Sequence, residues 1–180
     1  TLLKRCRPFE GEDQALFNQL VRESNLTDKR LIEAATYATQ WLPYVVAYLG
    51  WEQMASAVWW LHAHANAHHS AETEAEIGRY SRISLPEFRD GAVDTQWFLS
   101  VYKALGKKKW AMLYAASKYI TESGGQKRAQ LYADVLLGIT KITVVRKRIK
   151  EKRNQDYVRA YGLIPLSRKT PQKDILARYQ

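Results

Sequence analysis

Cysteine is all but missing from this 180-residue chain: Cys6 stands alone. A single thiol excludes an internal disulfide and any multi-cysteine metal site, and it fits a reducing, cytoplasmic compartment. Long apolar runs are missing as well. A bilayer-spanning helix needs about 20 consecutive apolar residues, whereas the most apolar stretch, 41–51, is short and broken by Pro43 and Gly50. A membrane is therefore not an expected partner. The early cations Lys4, Arg5 and Arg7 lead into Pro8 and an acidic stretch rather than an apolar core, which does not read as a secretory signal. Strand signals are scarce. Ile142, Val144 and Val145 are β-branched, but they sit in a basic run with Val145 and Ile149 four residues apart, a helical spacing. No nucleophile–base constellation and no framed pair of carboxylates occurs. The residues spell out no reaction and imply no cofactor.

Acid is also lacking, and only in one half. Residues 1–90 carry 9 Lys and Arg against 12 Asp and Glu, a net of −3, while residues 91–180 carry 19 against 6, a net of +13. The segregated excess makes a field that attracts an anionic partner. The remaining composition, 46% hydrophobic and 26% charged, is that of a globular protein. The 6 Trp and 11 Tyr are a heavy aromatic load. Core and inter-helix packing accounts for such rings better than a stacking surface for bases does.

Helical periodicity and capping signals run through the chain. Leu16, Phe17, Leu20 and Val21 recur at helical spacing over 13–23. Thr27 caps a second helix carrying Leu31, Ile32, Ala35 and Ala38, and Pro43 suits the first turn of a short third one. A dense helix is expected over 52–67 and an acidic, solvated stretch over 71–77. Ser84 and Glu87 form a capping box, Asp94 caps a helix over 95–105, and Gly106 closes it. Helices over 107–120 and 126–137 follow, then a long one opened by Thr140 or Thr143 and running to about Tyr161. Gly162 and Pro165 end it. Short connections between many helices predict an all-α fold, either a multi-helix bundle or a solenoid-like array of antiparallel pairs. A faint likeness between the segments at 26–35 and 105–116 hints at the second. Trp59, Leu61, Trp97, Trp110, Tyr114, Leu131 and Leu136 are expected in the core. One helical domain is expected over 1–166, with 167–180 a linker and the start of a further helix. The opening on Thr1 and the close on Arg178, Tyr179 and Gln180 suit a piece of a longer parent.

Three clusters stand out. His62, His64, His68 and His69 lie together; if the helix continues, His64 and His68 are four apart with Glu72 a turn further, a zinc-like spacing. Position 65 is Ala, so the glutamate base of a metalloprotease motif is missing. Alanine-rich flanks favour tight packing over a metal cleft. Ser123, Gly124 and Gly125 precede a helix with Lys127 and Arg128 in its first turn, where free backbone donors suit an anion. The spacing is not that of a Walker loop, and a plain connection needs the same glycines. The segment 141–153 holds seven cations and one acid. On a helix, Ile142, Val145 and Ile149 make a docking stripe. Arg146, Lys150 and Arg153 line a neighbouring face with Lys147 and Asn154 beside them, matching a phosphate backbone. The alternative is a solvated face, or one that meets an acidic protein surface. Lys107, Lys108 and Lys109 add a cationic patch at a helix start, where the dipole favours acids.

Five strings resemble a known family. They are Ala57-Val58-Trp59-Trp60-Leu61-His62-Ala63-His64, Asp90-Gly91-Ala92-Val93-Asp94, Ser123-Gly124-Gly125-Gln126-Lys127-Arg128-Ala129, Lys152-Arg153-Asn154-Gln155-Asp156 and Tyr161-Gly162-Leu163-Ile164-Pro165-Leu166. In this order they resemble large bacterial proteins known as molybdate metabolism regulator-like, some of which carry a WGR module. The resemblance implies a bacterial origin, a helical scaffold and a loose link to nucleic acid, and it supplies no catalytic residues. The expected function is a scaffold or binding module for another protein or the remainder of its own chain. Nucleic-acid binding through 141–153 is the alternative, and an enzyme fragment with its catalytic residues elsewhere is the third reading.

Overall fold

The structure is a computed structural model that describes residues 2–9, 13–66, 68–121, 124–152 and 154–179. Among these, twelve α-helices and two 3-10 turns account for the regular structure, and there is no strand. The helices are α1 (Leu2–Arg5), α2 (Gln14–Glu23), α3 (Asp28–Tyr37), α4 (Leu42–Leu49), α5 (Met54–Ala65) and α6 (Ala71–Gly78). They continue as α7 (Leu85–Arg89), α8 (Thr95–Ala116), α9 (Gln126–Leu136), α10 (Ile142–Glu151), α11 (Gln155–Leu163) and α12 (Pro171–Tyr179). No helix of the described residues is long and apolar enough to cross a membrane.

Starts and stops follow local chemistry. The Asp13 carboxylate accepts the Leu16 amide at 2.7 Å, and Asp94 accepts that of Trp97 at 2.9 Å, each satisfying an orphan donor of a first turn. The Glu87 carboxylate accepts both the amide and the hydroxyl of Ser84, at 2.9 and 2.7 Å, and these bonds hold its pKa below the usual carboxylate range. Gly106, at φ 74° and ψ 168°, divides α8 into two helical halves, as the sequence predicts.

Helix α5 is the axis of the molecule. Ten of its twelve residues are buried, Trp60, Leu61 and Val58 completely, because it is apolar on nearly all sides and must be covered all round. It packs against α4, α6, α8 and α9, while α3 also reaches α8 and α9 carries α11, which carries α10. Contacts between elements so far apart in the chain make this a bundle, not the solenoid-like array offered as the other arm of the fold expectation. The aromatic load is indeed spent on packing. Trp60 lies 4.8 Å from Phe98, and Phe98 meets Trp110 edge-on at 5.1 Å, centroid to centroid. The indole of Trp97 donates to Ser56 Oγ at 2.8 Å, and that of Trp60 to the Asp94 carbonyl at 3.1 Å.

Several expectations need correction. Of the predicted core, Trp59, Leu61, Trp97 and Trp110 are buried, whereas Tyr114, Leu131 and Leu136 are half-buried at its edge. The stretch over 71–77 is a helix, capped by Ser70. The helix expected over 52–67 ends at Ala65, where Asn66 turns extended (φ −106°, ψ 145°). The long helix expected to reach Tyr161 is two helices. Lys152 is extended (φ −151°, ψ 108°), and Asn154 caps α11 by accepting the Asp156 amide at 2.8 Å. Neither Thr140 nor Thr143 caps α10, whose first turn follows Lys141 without a side-chain bond.

Candidate functional site

The last carbonyls of α5 decide what surrounds the histidines. A helix end leaves four carbonyls without intrahelical donors. The Asn66 amide donates to the His62 carbonyl at 3.3 Å, and Arg128 Nε donates to the His64 carbonyl at 2.8 Å. The Ala65 carbonyl lies against Gly125, so closely that a Cβ built there would sit 2.0 Å from the oxygen. The glycine loop is thus needed for close approach to α5, and Arg128 supplies a cation where the helix dipole favours one.

This end sets the surroundings of each histidine. His64 is buried with its ring 4.5 Å from Trp60, 5.3 Å from Phe88 and 6.0 Å from Tyr132. Burial, aided by nearby Arg128 and His69, pushes its pKa down to about 3, so the ring is neutral at physiological pH. His62 donates Nε2–H to the Thr36 carbonyl at 3.0 Å, and burial lowers its pKa to about 4. His68 lies beyond the end of α5 and is exposed, so the i, i+4 register with His64 is not realised. Glu72 sits on α6 and lines a different groove, of about 470 Å³, with Trp59, Arg79 and Tyr80. No group of three or more potential metal ligands occurs among the described residues.

Lys127 and Arg128 share an open groove of about 710 Å³ with Asn66, His68, Asn154 and Tyr157, and Asp156 adds one acid to its wall. Lys127 is exposed; Arg128 is half-buried and already committed to α5.

On α10 the apolar stripe docks as expected. Val145 is fully buried, with Ile142 and Ile149 half-buried against the core. Arg146 is not part of a free cationic row. Its Nε donates to the Tyr161 hydroxyl at 2.9 Å, and its guanidinium lies 5.3 Å from the centre of the same ring. Lys147 and Arg148 both reach the Glu151 carboxylate, at 3.6 and 3.5 Å, and Lys150 is exposed. Arg153 lies outside the described residues. Of the lysines at 107–109, Lys109 packs its ammonium 5.0 Å over the Trp51 ring, which offsets the unfavourable dipole at that turn.

Three residues that spacing did not bring forward complete the surroundings of His64: Gly91, Tyr132 and Arg159, which with Arg128 line a small cavity beside it. They come from three separated segments and carry no local pattern, so only the fold unites them. Comparison with curated proteins and with solved structures gives no match. A family model does match, over residues 1–180, and the chain belongs to that family, a family of unknown function (DUF5724).

Proposed function

We propose that the chain is a helical binding module that docks an acidic polypeptide surface through the side formed by α10, α11 and α12. The observation that carries this reading is α12: none of its residues is buried, and Ile175, Leu176 and Tyr179 are 43, 59 and 88% exposed. The helix is nevertheless held in place. Arg178 donates to the carbonyls of Gly162 and Ile164, at 3.2 and 2.5 Å, and the Asp174 carboxylate accepts the Ser167 amide at 2.7 Å. Both Arg178 and Arg146 lie 5.3 Å from the Tyr161 ring centre, which joins α12 to the basic surface of α10. Apolar side chains rimmed by cations suit a polypeptide that carries both apolar and acidic groups. The cytoplasm and a bacterial host are part of the proposal, supported by the lone cysteine and by the five resembling strings.

Nucleic acid is the second reading, supported by exposed Lys147, Arg148 and Lys150. The two separate by experiment. Photo-crosslinkers placed at Ile175 and Leu176 in host cells should capture polypeptide, while one at exposed Lys29 on α3 should not. Duplex and single-stranded DNA or RNA should not bind the purified protein at low salt. Tight binding that falls steeply with salt, together with no polypeptide adduct at 175 or 176, would transfer the function to nucleic acid.

A further inference from the structure

Beside His64 lies a small, partly open cavity of about 30 Å³. Its wall includes Ala63, His64 and Asn66 from the end of α5, Gly91 and Ala92 between α7 and α8, Arg128 and Tyr132 from α9, and Arg159 from α11. Two polar atoms here are buried without any hydrogen-bond partner, His64 Nε2 and the Tyr132 hydroxyl. Their residues are only 3 and 2% exposed. Buried polar groups are almost always satisfied by protein, water or ion, so two such atoms on one small cavity point to an occupant.

The charge of the lining indicates which. Arg89, Arg128 and Arg159 all contribute to it, and no carboxylate of the described residues does. Arg89 is matched by Glu74 at 2.6 Å, whereas Arg159 meets Asp156 only loosely, at 3.8 Å, and donates from Nη2 to the Asp90 carbonyl at 3.2 Å. Asp156 faces the neighbouring open groove instead. Gly91 makes room for the guanidinium, since a Cβ there would fall 2.0 Å from Arg159 Nε. Burial raises the Tyr132 pKa, with Asp156 adding and Arg159 and Arg128 opposing, so the hydroxyl keeps its proton to donate. A neutral His64 can likewise carry its proton on Nε2. Among the described side chains of the lining, only the Asn66 amide oxygen offers a fixed acceptor to a water molecule.

We infer that this cavity binds a single monatomic anion, chloride in the cell, held by the Tyr132 hydroxyl, His64 Nε2–H and the guanidinium groups of Arg128 and Arg159. A water needs roughly 10–15 Å³ of such volume, so a space of about 30 Å³ suits one halide better than a phosphate or a metabolite. The ion joins α5, α9 and α11, and so acts as a pin across the axis of the bundle.

The test uses the whole chain. Crystals grown in bromide should show an anomalous peak in the cavity. Thermal melts at constant ionic strength, with chloride replacing gluconate, should show a saturable rise in Tm, because a ligand of the native state stabilises by mass action. Tyr132→Phe, which removes one donor and little volume, should weaken that chloride dependence at least tenfold. An empty or water-filled cavity in bromide overturns the assignment. So do coincident melts in chloride and gluconate: a bromide peak without the saturable shift means an adventitious ion only, and a shift without the peak places the ion elsewhere.

Discussion

His62 and His64 make the stability of the chain depend on pH in a direction set by burial. Their native pKa values, about 4 and about 3, lie below the ordinary histidine value of 6.5, since desolvation disfavours the imidazolium. The unfolded chain therefore binds protons that the native chain declines. Stability is full above pH 6.5 and falls as the pH drops toward the native values, by about 1.4 kcal/mol per pH unit for each ring. Urea unfolding at pH 7 and pH 5 should show this loss, and His64→Gln should reduce its slope by roughly half. An unchanged slope in that variant means that His64 is accessible to protons in the native state. Gly125 makes a second residue-scale case. Its φ of −60° is open to any residue, yet an added methyl meets the Ala65 carbonyl at 2.0 Å. Gly125→Ala should destabilise by about 1–3 kcal/mol, the usual cost of overpacking, measured by denaturant unfolding. A neutral result would show that the loop is free to withdraw from α5.

Among the elements, α8 and α10 show what a sequence pattern conveys and where it stops. Gly106 was legible as a break because nothing else in 95–116 interrupts the helix, and its φ of 74° with ψ of 168° is a conformation reserved almost wholly for glycine. A Cβ at that position meets nothing within 4 Å, so the cost of substitution is backbone alone. Gly106→Ala should lose about 1–3 kcal/mol in denaturant unfolding. No loss at all would mean that the two halves merge into one straight helix without harm. The break at Lys152 was not legible, since the basic run continues helical composition straight through it. Only the Asn154 cap marks the new start, and an asparagine inside a polar stretch is a weak signal on its own. The same limit applies to Arg146. Helical spacing placed it beside Lys150, but the partner that draws it inward, Tyr161, comes from the next helix. Likewise, the periodicity of 52–67 showed a packed helix but could not show its end at Ala65. That end depends on Arg128 and Gly125, some sixty residues further along the chain.

For the whole molecule, the segregated charge is itself an energetic burden. Residues 91–180 carry a net of +13, and most of this charge is carried by α8 to α12, whose ion pairs among the described residues are few and exposed or half-exposed. Exposed pairs contribute only about 0–1 kcal/mol each, so they do not offset the mutual repulsion. Added salt screens interactions beyond a Debye length of about 10 Å at 0.1 M, which weakens repulsion between the more distant like charges. Raising the ionic strength should therefore raise the melting temperature. Lys147→Gln/Lys150→Gln should shrink the increase, because it removes charge from an exposed face without touching the Val145 stripe that docks α10. This gain must appear in gluconate as well as in chloride, since screening does not depend on which anion supplies it. A melting temperature that falls with salt in gluconate would show that attraction between the acidic N-terminal half and the basic C-terminal half outweighs repulsion within the latter. The asymmetry would then be holding the bundle together from within, and a large part of the cationic surface would be withdrawn from the reach of any partner.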